Sequence, residues 1–267
     1  MSAGEVRFAQ IDWRGRPLRL EYQWVGEGVD GEASRTPPVV FLHEGLGSVA
    51  MWKDFPDRMC AAHGLRGLVF SRYGYGRSTP KPPEEHWTPS FMHAQAHEVL
   101  PALFSALQIE RPWLFGHSDG GSIALLYAAR LEVAGLVVVA PHLFVEDVAI
   151  TSIENARDAY QTTLRARLAR YHDDPDSAFR GWNDIWLAPA FRDWNIEAEL
   201  GSITCPVLAV QGEDDEYGTL AQIRGIQARL PKTRLLVISK CGHSPHRDQP
   251  ELLSAEAGRF VFENSTP

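Results

Sequence analysis

Short unbroken apolar runs recur along the chain: Val39-Val40-Phe41-Leu42, then residues 67–70, 113–115, 136–139, 207–210 and 235–238. Such runs fit strands covered on both faces. Helical patterns separate most of them, over residues 91–107, 121–130, 220–230 and 250–262. Strand alternating with helix predicts a mostly parallel sheet with helices on both sides. Two earlier strands are expected over residues 6–11 and 18–25, around the turn Arg14-Gly15-Arg16-Pro17. In the second, Leu18, Leu20, Tyr22 and Trp24 share one face. Together these make a sheet of about eight strands. Residues 26–38 read as a loop bearing Gly and Pro.

One interval breaks the rhythm. Residues 144–200 carry no good strand; residues 156–171 are helical in pattern, and residues 179–194 hold Trp182, Trp186 and Trp194 together with Pro189. This reads as a helical lid inserted into a core domain made of residues 1–143 and 201–267. A length of 267 residues suits one such domain with an insertion better than two full domains. Residues 264–267 read as a frayed end.

Composition narrows the function. With 34 acidic against 26 basic residues, and no clustered positive face, nucleic-acid and anionic-membrane partners are not expected. No apolar run approaches the roughly 20 residues that span a bilayer. Residues 1–12 lack a basic patch followed by an apolar stretch, so no secretory signal is read there. Cys60, Cys205 and Cys241 are too few and too scattered for a disulfide framework or a zinc site. A reduced, cytoplasmic protein is the expectation. Oligomeric state, homo-oligomers included, stays open.

The strongest chemical signal is Gly116-His117-Ser118-Asp119-Gly120, followed by Gly121. It matches G-x-S-x-G between a predicted strand and a predicted helix, where such a motif must sit. A nucleophile at the tip of that turn needs a strained backbone with no side chain two residues to either side. A serine hydroxyl also needs a base, and the base needs an acid to orient it. In this arrangement the partners follow in the order Ser, acid, His. Gln211-Gly212-Glu213-Asp214-Asp215-Glu216 follows one strand, and Cys241-Gly242-His243-Ser244-Pro245 follows the next. All three segments fall at the carboxyl ends of strands, the edge where open parallel sheets bind ligands.

From Val39 to Phe262 the chain resembles the α/β-hydrolase family through these three motifs. The resemblance implies an α/β-hydrolase fold, with Ser118 as nucleophile, His243 as base and Asp215 as acid; Asp214 is the alternative, and Glu213 and Glu216 read as solvated charges. His246, off the motif, reads as a surface residue. The loop His43-Glu44-Gly45-Leu46-Gly47-Ser48 resembles the family's H-G-x-x-G segment, which implies oxyanion donors at the N–H of Gly45 and of Asp119. Glu44 departs from the usual glycine there, which keeps the N–H of Leu46 open as a donor. Residues 71–78 resemble another family loop, of mainly structural role, and form no phosphate cradle. No nucleotide cofactor and no metal are implied.

Ser118 in the nucleophile position disfavours the epoxide- and halide-processing relatives, which use a carboxylate. The expected substrate is a small molecule with an ester-like acyl bond. Relatives with the same triad cleave C–C bonds in aromatic ring-fission products, and others only bind ligands; the intact Ser–Asp–His set disfavours pure binding. Relatives resembling valacyclovir hydrolase carry an Asp after the nucleophile that meets an amine, so Asp119, with Glu44 beside it, is a candidate amine reader. A plain helix-start role for Asp119 is the favoured alternative. Glu44, Leu46, His117, Trp182 and Trp186 are the candidate substrate contacts, with lid packing as the other reading of the two Trp residues.

Overall fold

The structure, a computed structural model, describes residues 4–26 and 37–265. Most of the 26–38 loop and the last two residues of the expected frayed end therefore lie outside the described residues. Eight strands form one sheet: β1 (Arg7–Trp13), β2 (Arg16–Gly26), β3 (Val39–Leu42), β4 (Arg66–Phe70), β5 (Trp113–His117), β6 (Gly135–Val139), β7 (Val207–Gly212) and β8 (Arg234–Ile238). Their order is β1-β2-β4-β3-β5-β6-β7-β8. β2 runs antiparallel to β1 and β4, and all other pairs are parallel.

The apolar runs are explained by two cores, one on each side of the sheet. Successive residues point to opposite faces. Val40 and Leu42 join Leu114, Val138 and Ala209 in one core. Val39 and Phe41 join Phe115, Val137 and Val210 in the other. Ile123 and Leu126 of the helix Asp119–Ala128 cover the first face, as do Ile223 and Ile226 of Ala221–Arg229. Phe55 and Met59 of Phe55–Ala62 and Leu253 and Phe260 of Pro250–Asn264 cover the second. Each fully buried Leu, Ile or Phe contributes roughly 1.5–3 kcal/mol, so a polar residue in any central strand would be costly.

Strand and helix types match the pattern; their limits differ. β1 runs on to Trp13 and β2 starts at Arg16, because the turn needs only Arg14 and Gly15, both at positive φ. The 91–107 helix is not uniform: α-helical at Phe91–Ala94, it widens to π over Gln95–Val99 and resumes over Leu100–Ala106. The chain between β6 and β7 is helical, but it starts earlier than the pattern suggests. Asp147–Ala159 leads through a π turn at Tyr160–Leu164 into Arg165–Leu168, followed by Pro175–Trp186. The last helix begins cleanly because Asp174 accepts the Ser177 N–H and Pro175 follows at the first position. An isolated bridge between Phe144 and Asn195 closes the base of this insertion.

The parallel strands all end at one edge. The loops that leave it carry residues 43–49, 71–78, 118, 140–143, 213–218 and 239–245.

Candidate functional site

Ser118 stands directly beyond β5 with φ 54° and ψ −122°, a conformation that costs a residue with a side chain about 1–3 kcal/mol. The turn is held by its own backbone: Ser118 N–H donates to Val139 O at 2.9 Å, and Ser118 O accepts from the N–H of Gly121 at 2.8 Å and of Ser122 at 3.1 Å. The glycines are required by space. A Cβ on Gly116 would lie 2.3 Å from Gly120 O, and one on Gly120 would lie 2.1 Å from Leu42 O. Only bare backbone can cross there.

Three loops meet at the hydroxyl. His243 Nε2 is 2.9 Å from Ser118 Oγ, and His243 Nδ1 is 2.8 Å from Asp215 Oδ1. Asp215 is thus the acid at this histidine, while Asp214 is exposed. The Asp215 carboxyl is fixed further by the N–H of Tyr217 at 2.8 Å, that of Gly218 at 3.2 Å and Gln211 Nε2 at 2.7 Å. Burial pushes its pKa up, but the His243 hydrogen bond and charge, with the Tyr217 N–H, outweigh this and leave it below the usual carboxylate range. Glu216, expected to be a solvated charge, is exposed yet accepts the His243 backbone N–H at 3.0 Å.

The loop after β3 lies opposite. Gly45 sits under the insertion: a Cβ there would be 2.2 Å from the Trp182 ring. The N–H groups of Gly45 and Asp119 donate to no other group among the described residues. The Leu46 side chain is half-buried, and its carbonyl accepts from His172 Nε2 at 3.0 Å.

Two acids flank the site, and both are engaged by the protein. Asp119 is fully buried; its Oδ1 accepts from Trp186 Nε1 at 3.2 Å, and its Oδ2 lies 3.7 Å from Arg72 Nη2. Burial raises the Asp119 pKa, partly opposed by Arg72 and by the Trp186 N–H. Glu44 Oε2 is 3.5 Å from His117 Nδ1, and its Oε1 is 3.4 Å from Arg247 Nη2. Burial pushes Glu44 up; His117, Arg247 and His246 more than reverse that, and it stays well below the usual range. His117 itself donates from Nε2 to His243 O at 2.7 Å, which ties the elbow to the histidine loop.

The sequence motifs assign no role at the site to four residues of this neighbourhood. Arg72, 1% exposed, donates through Nη2 to Glu44 O at 2.8 Å. His142, 3% exposed, brings Nε2 to 3.4 Å from Ser118 Oγ. Ser122 holds His142 by accepting its N–H at 3.0 Å and donating to its carbonyl at 2.7 Å. His246 is not a surface residue; it is buried against Trp52, Phe55 and His117, because the turn Ser244–Pro245 folds it back onto the second core. His142 had one readable signal: it follows β6, the strand paired with the one that leads into Ser118, by only three residues.

A cavity of about 540 Å³ lies between residues 81–87 and the helix Pro175–Trp186, with Lys81, Trp87, Ser177 and Gly181 in its walls. Its walls include none of Ser118, Asp215 or His243. Among the described residues no helix is long and apolar enough to cross a membrane.

Residues 39–256 match the model of the alpha/beta hydrolase family. The serine hydrolase BPHL of Mus musculus is 27% identical over 247 residues, covering 86% of this chain and 78% of that protein. The 2-hydroxy-6-oxononadienedioate/2-hydroxy-6-oxononatrienedioate hydrolase of Cupriavidus pinatubonensis is 24% identical over 273 residues, covering 90% of each chain. A thermophilic esterase from Thermogutta terrifontis superposes with a TM-score of 0.74 at 19% identity, over 98% of this chain and all of its own.

Proposed function

The chain belongs to the alpha/beta hydrolase family, and from that premise we propose that it cleaves a small carboxylic ester, or a related acyl bond, through an acyl-enzyme on Ser118. One observation carries this reading: the unbroken file from Asp215 through His243 to Ser118, with links of 2.8 and 2.9 Å. The family and its hydrolase-named relatives mark the chain as an enzyme of hydrolase type acting on small molecules.

The mechanism follows from the atoms. An ionised Asp215 holds the His243 proton on Nδ1, so Nε2 is free to accept. As Ser118 Oγ attacks the acyl carbon, its proton passes to His243 Nε2. His243 then gives that proton to the leaving group. Water, activated by the same nitrogen, releases the acyl group. The backbone N–H groups of Gly45 and Asp119 serve the oxyanion; that both lack other partners among the described residues supports the role. The insertion over residues 144–200 serves as the lid, with Trp182 against Gly45 and Trp186 against Asp119 as its contacts at the site.

His117 and Glu44 act behind the site rather than on substrate, since each already has protein partners. The same holds for the Asp119 carboxylate, which leaves the amine-reader role without support. The test is a panel of chromogenic esters, amides, lactones and ring-fission dienones. A fluorophosphonate should label Ser118, and Ser118→Ala and His243→Ala should each lose about 10⁴- to 10⁶-fold in turnover. Full turnover in Ser118→Ala would end this reading. Preference for the dienones over every ester would instead favour C–C cleavage by the same residues, as the name of the Cupriavidus relative suggests.

A further inference from the structure

The hydrogens around Ser118 can be placed from one fixed point. Asp215 is held ionised and has no proton to give, so His243 Nδ1 donates across their 2.8 Å contact. A neutral imidazole with its proton on Nδ1 offers only a lone pair at Nε2. Ser118 Oγ, 2.9 Å away, therefore donates to His243 and keeps only lone pairs for any other neighbour. That other neighbour is His142 Nε2 at 3.4 Å.

Two tautomers of His142 are open, and they differ in cost. With the proton on Nδ1, a lone pair at Nε2 would face a lone pair on Oγ. The N–H would then be buried without an acceptor, because His142 Nδ1 has no partner among the described residues. An orphaned buried N–H is rare and costs about 1–3 kcal/mol. With the proton on Nε2, both penalties vanish, and only a lone pair is left unmet.

We propose that His142 is a further catalytic residue: its Nε2–H donates to Ser118 Oγ in the free enzyme, and again to that oxygen as it leaves the acyl-enzyme. The inference rests on the reading of Ser118 as nucleophile. The ring is placed for this. It packs edge-on to Trp186 at 4.8 Å between centroids and lies 5.9 Å from the His243 ring, with its backbone locked to Ser122. Burial, and then the charge of His243, lowers its pKa to about 3, so it stays a neutral donor and does not compete as a base.

The contribution is unequal between the two halves of the reaction. In acylation the Oγ–H bond breaks, its proton goes to His243, and the Oγ–carbon bond forms; the bond from the acyl carbon to the leaving group then breaks, and the leaving group departs with its electron pair and the proton from His243. Negative charge on Oγ is being spent. In deacylation water adds its hydroxyl to the acyl carbon and its proton to His243. The carbon–Oγ bond then breaks, and Oγ takes the electron pair before His243 returns the proton. The His142 N–H meets that charge and keeps its own proton throughout. Its loss must slow deacylation more than acylation.

Stopped-flow hydrolysis of p-nitrophenyl acetate reads this directly. In His142→Phe, steady-state kcat should fall roughly 10-fold, the worth of one hydrogen bond. The first turnover should be nearly unchanged, KM should fall with kcat, and p-nitrophenol should appear in a burst. His142→Gln, which keeps an N–H, should recover most of the loss. Wild-type imidazole ¹⁵N shifts should show a protonated Nε2 and a bare Nδ1 at His142, a reading that needs no variant to fold. Equal slowing of both phases, wild-type behaviour in His142→Phe, no recovery in His142→Gln, or a protonated Nδ1 would each overturn the inference. Ser118→Ala separates the layers. If it is inactive while His142→Phe matches wild type, only His142 loses its role; if it hydrolyses normally, both readings fall.

Discussion

Two buried aspartates lie within reach of the same serine, and they have opposite electrostatics. Asp215 gathers donors: an imidazole, two backbone N–H groups and an amide. Asp119 has one indole N–H at 3.2 Å and a guanidinium at 3.7 Å, with Oδ2 making no hydrogen bond among the described residues. Both carboxyls are pushed up by burial, but only Asp215 has enough donors to end below its ordinary value. Donor count separates the carboxylate bonded to His243 from the one set against Arg72 and Trp186.

The same substitution at both positions should break the symmetry most. Asp215→Asn should lower kcat/KM on p-nitrophenyl esters by about 10⁴-fold, because an amide can turn its NH₂ toward His243 and favour the wrong tautomer. Asp119→Asn keeps its backbone N–H and should lose less than about 10-fold. It should also leave the ratio of α-amino to neutral ester hydrolysis unchanged; a collapse of that ratio would return Asp119 to substrate recognition.

Stability should rank them the same way, because the fold favours the charge on Asp215 and opposes it on Asp119. Asp119→Asn takes a charge away from Arg72, 1% exposed, but one that burial opposes, so it should cost less in urea unfolding than Asp215→Asn. A larger loss in Asp119→Asn would show that the ion pair with Arg72 outweighs the burial of the charge.

Acidity sharpens the contrast with its sign. Asp215, with a depressed folded pKa, adds stability above its unfolded value near 3.8 that is lost as pH falls through the folded one. Asp119, with a raised pKa, adds stability below about 3.8 that is lost as pH rises through its folded value. The buried histidines add a further dependence on pH. His43, His142, His172 and His246 all lie below the ordinary 6.5, each through burial first. The unfolded chain takes up their protons first, so stability falls as pH drops below about 6.5. Thermal melts at pH 7.5 and pH 5.5 should show the loss, and His246→Phe should reduce it. The smallest effect belongs to Asp214→Asn, exposed and one residue away from the site's acid, which should change stability by less than about 0.5 kcal/mol and activity not at all.

The contrast also explains what was legible in the sequence. Gly116 and Gly120 could be read because crossing backbones forbid a Cβ, which forces a spacing. Asp215 and His243 could be read because both leave strand ends on one edge in a fixed order. The sheet itself was visible because period-two alternation fills two cores at once. Arg72, inside a loop read as structural, His142, marked only by its place after β6, and His246, read as a surface residue, were not legible as neighbours of the site. Each reaches the site through packing across separate strands, and no local spacing marks such a meeting. The bounds of the insertion's helices drifted for a related reason: residues 147–168 are exposed over much of their length, so their apolar stripe is thin. A π turn at Tyr160–Leu164 also shifts its phase.

The contact between Gly45 and Trp182 limits how this enzyme can diversify. The indole occupies the volume that any side chain at position 45 would need, so the covering segment and the loop beneath it are one fitted unit. Exchanging the helix Pro175–Trp186 for another segment would therefore also disturb the backbone at position 45.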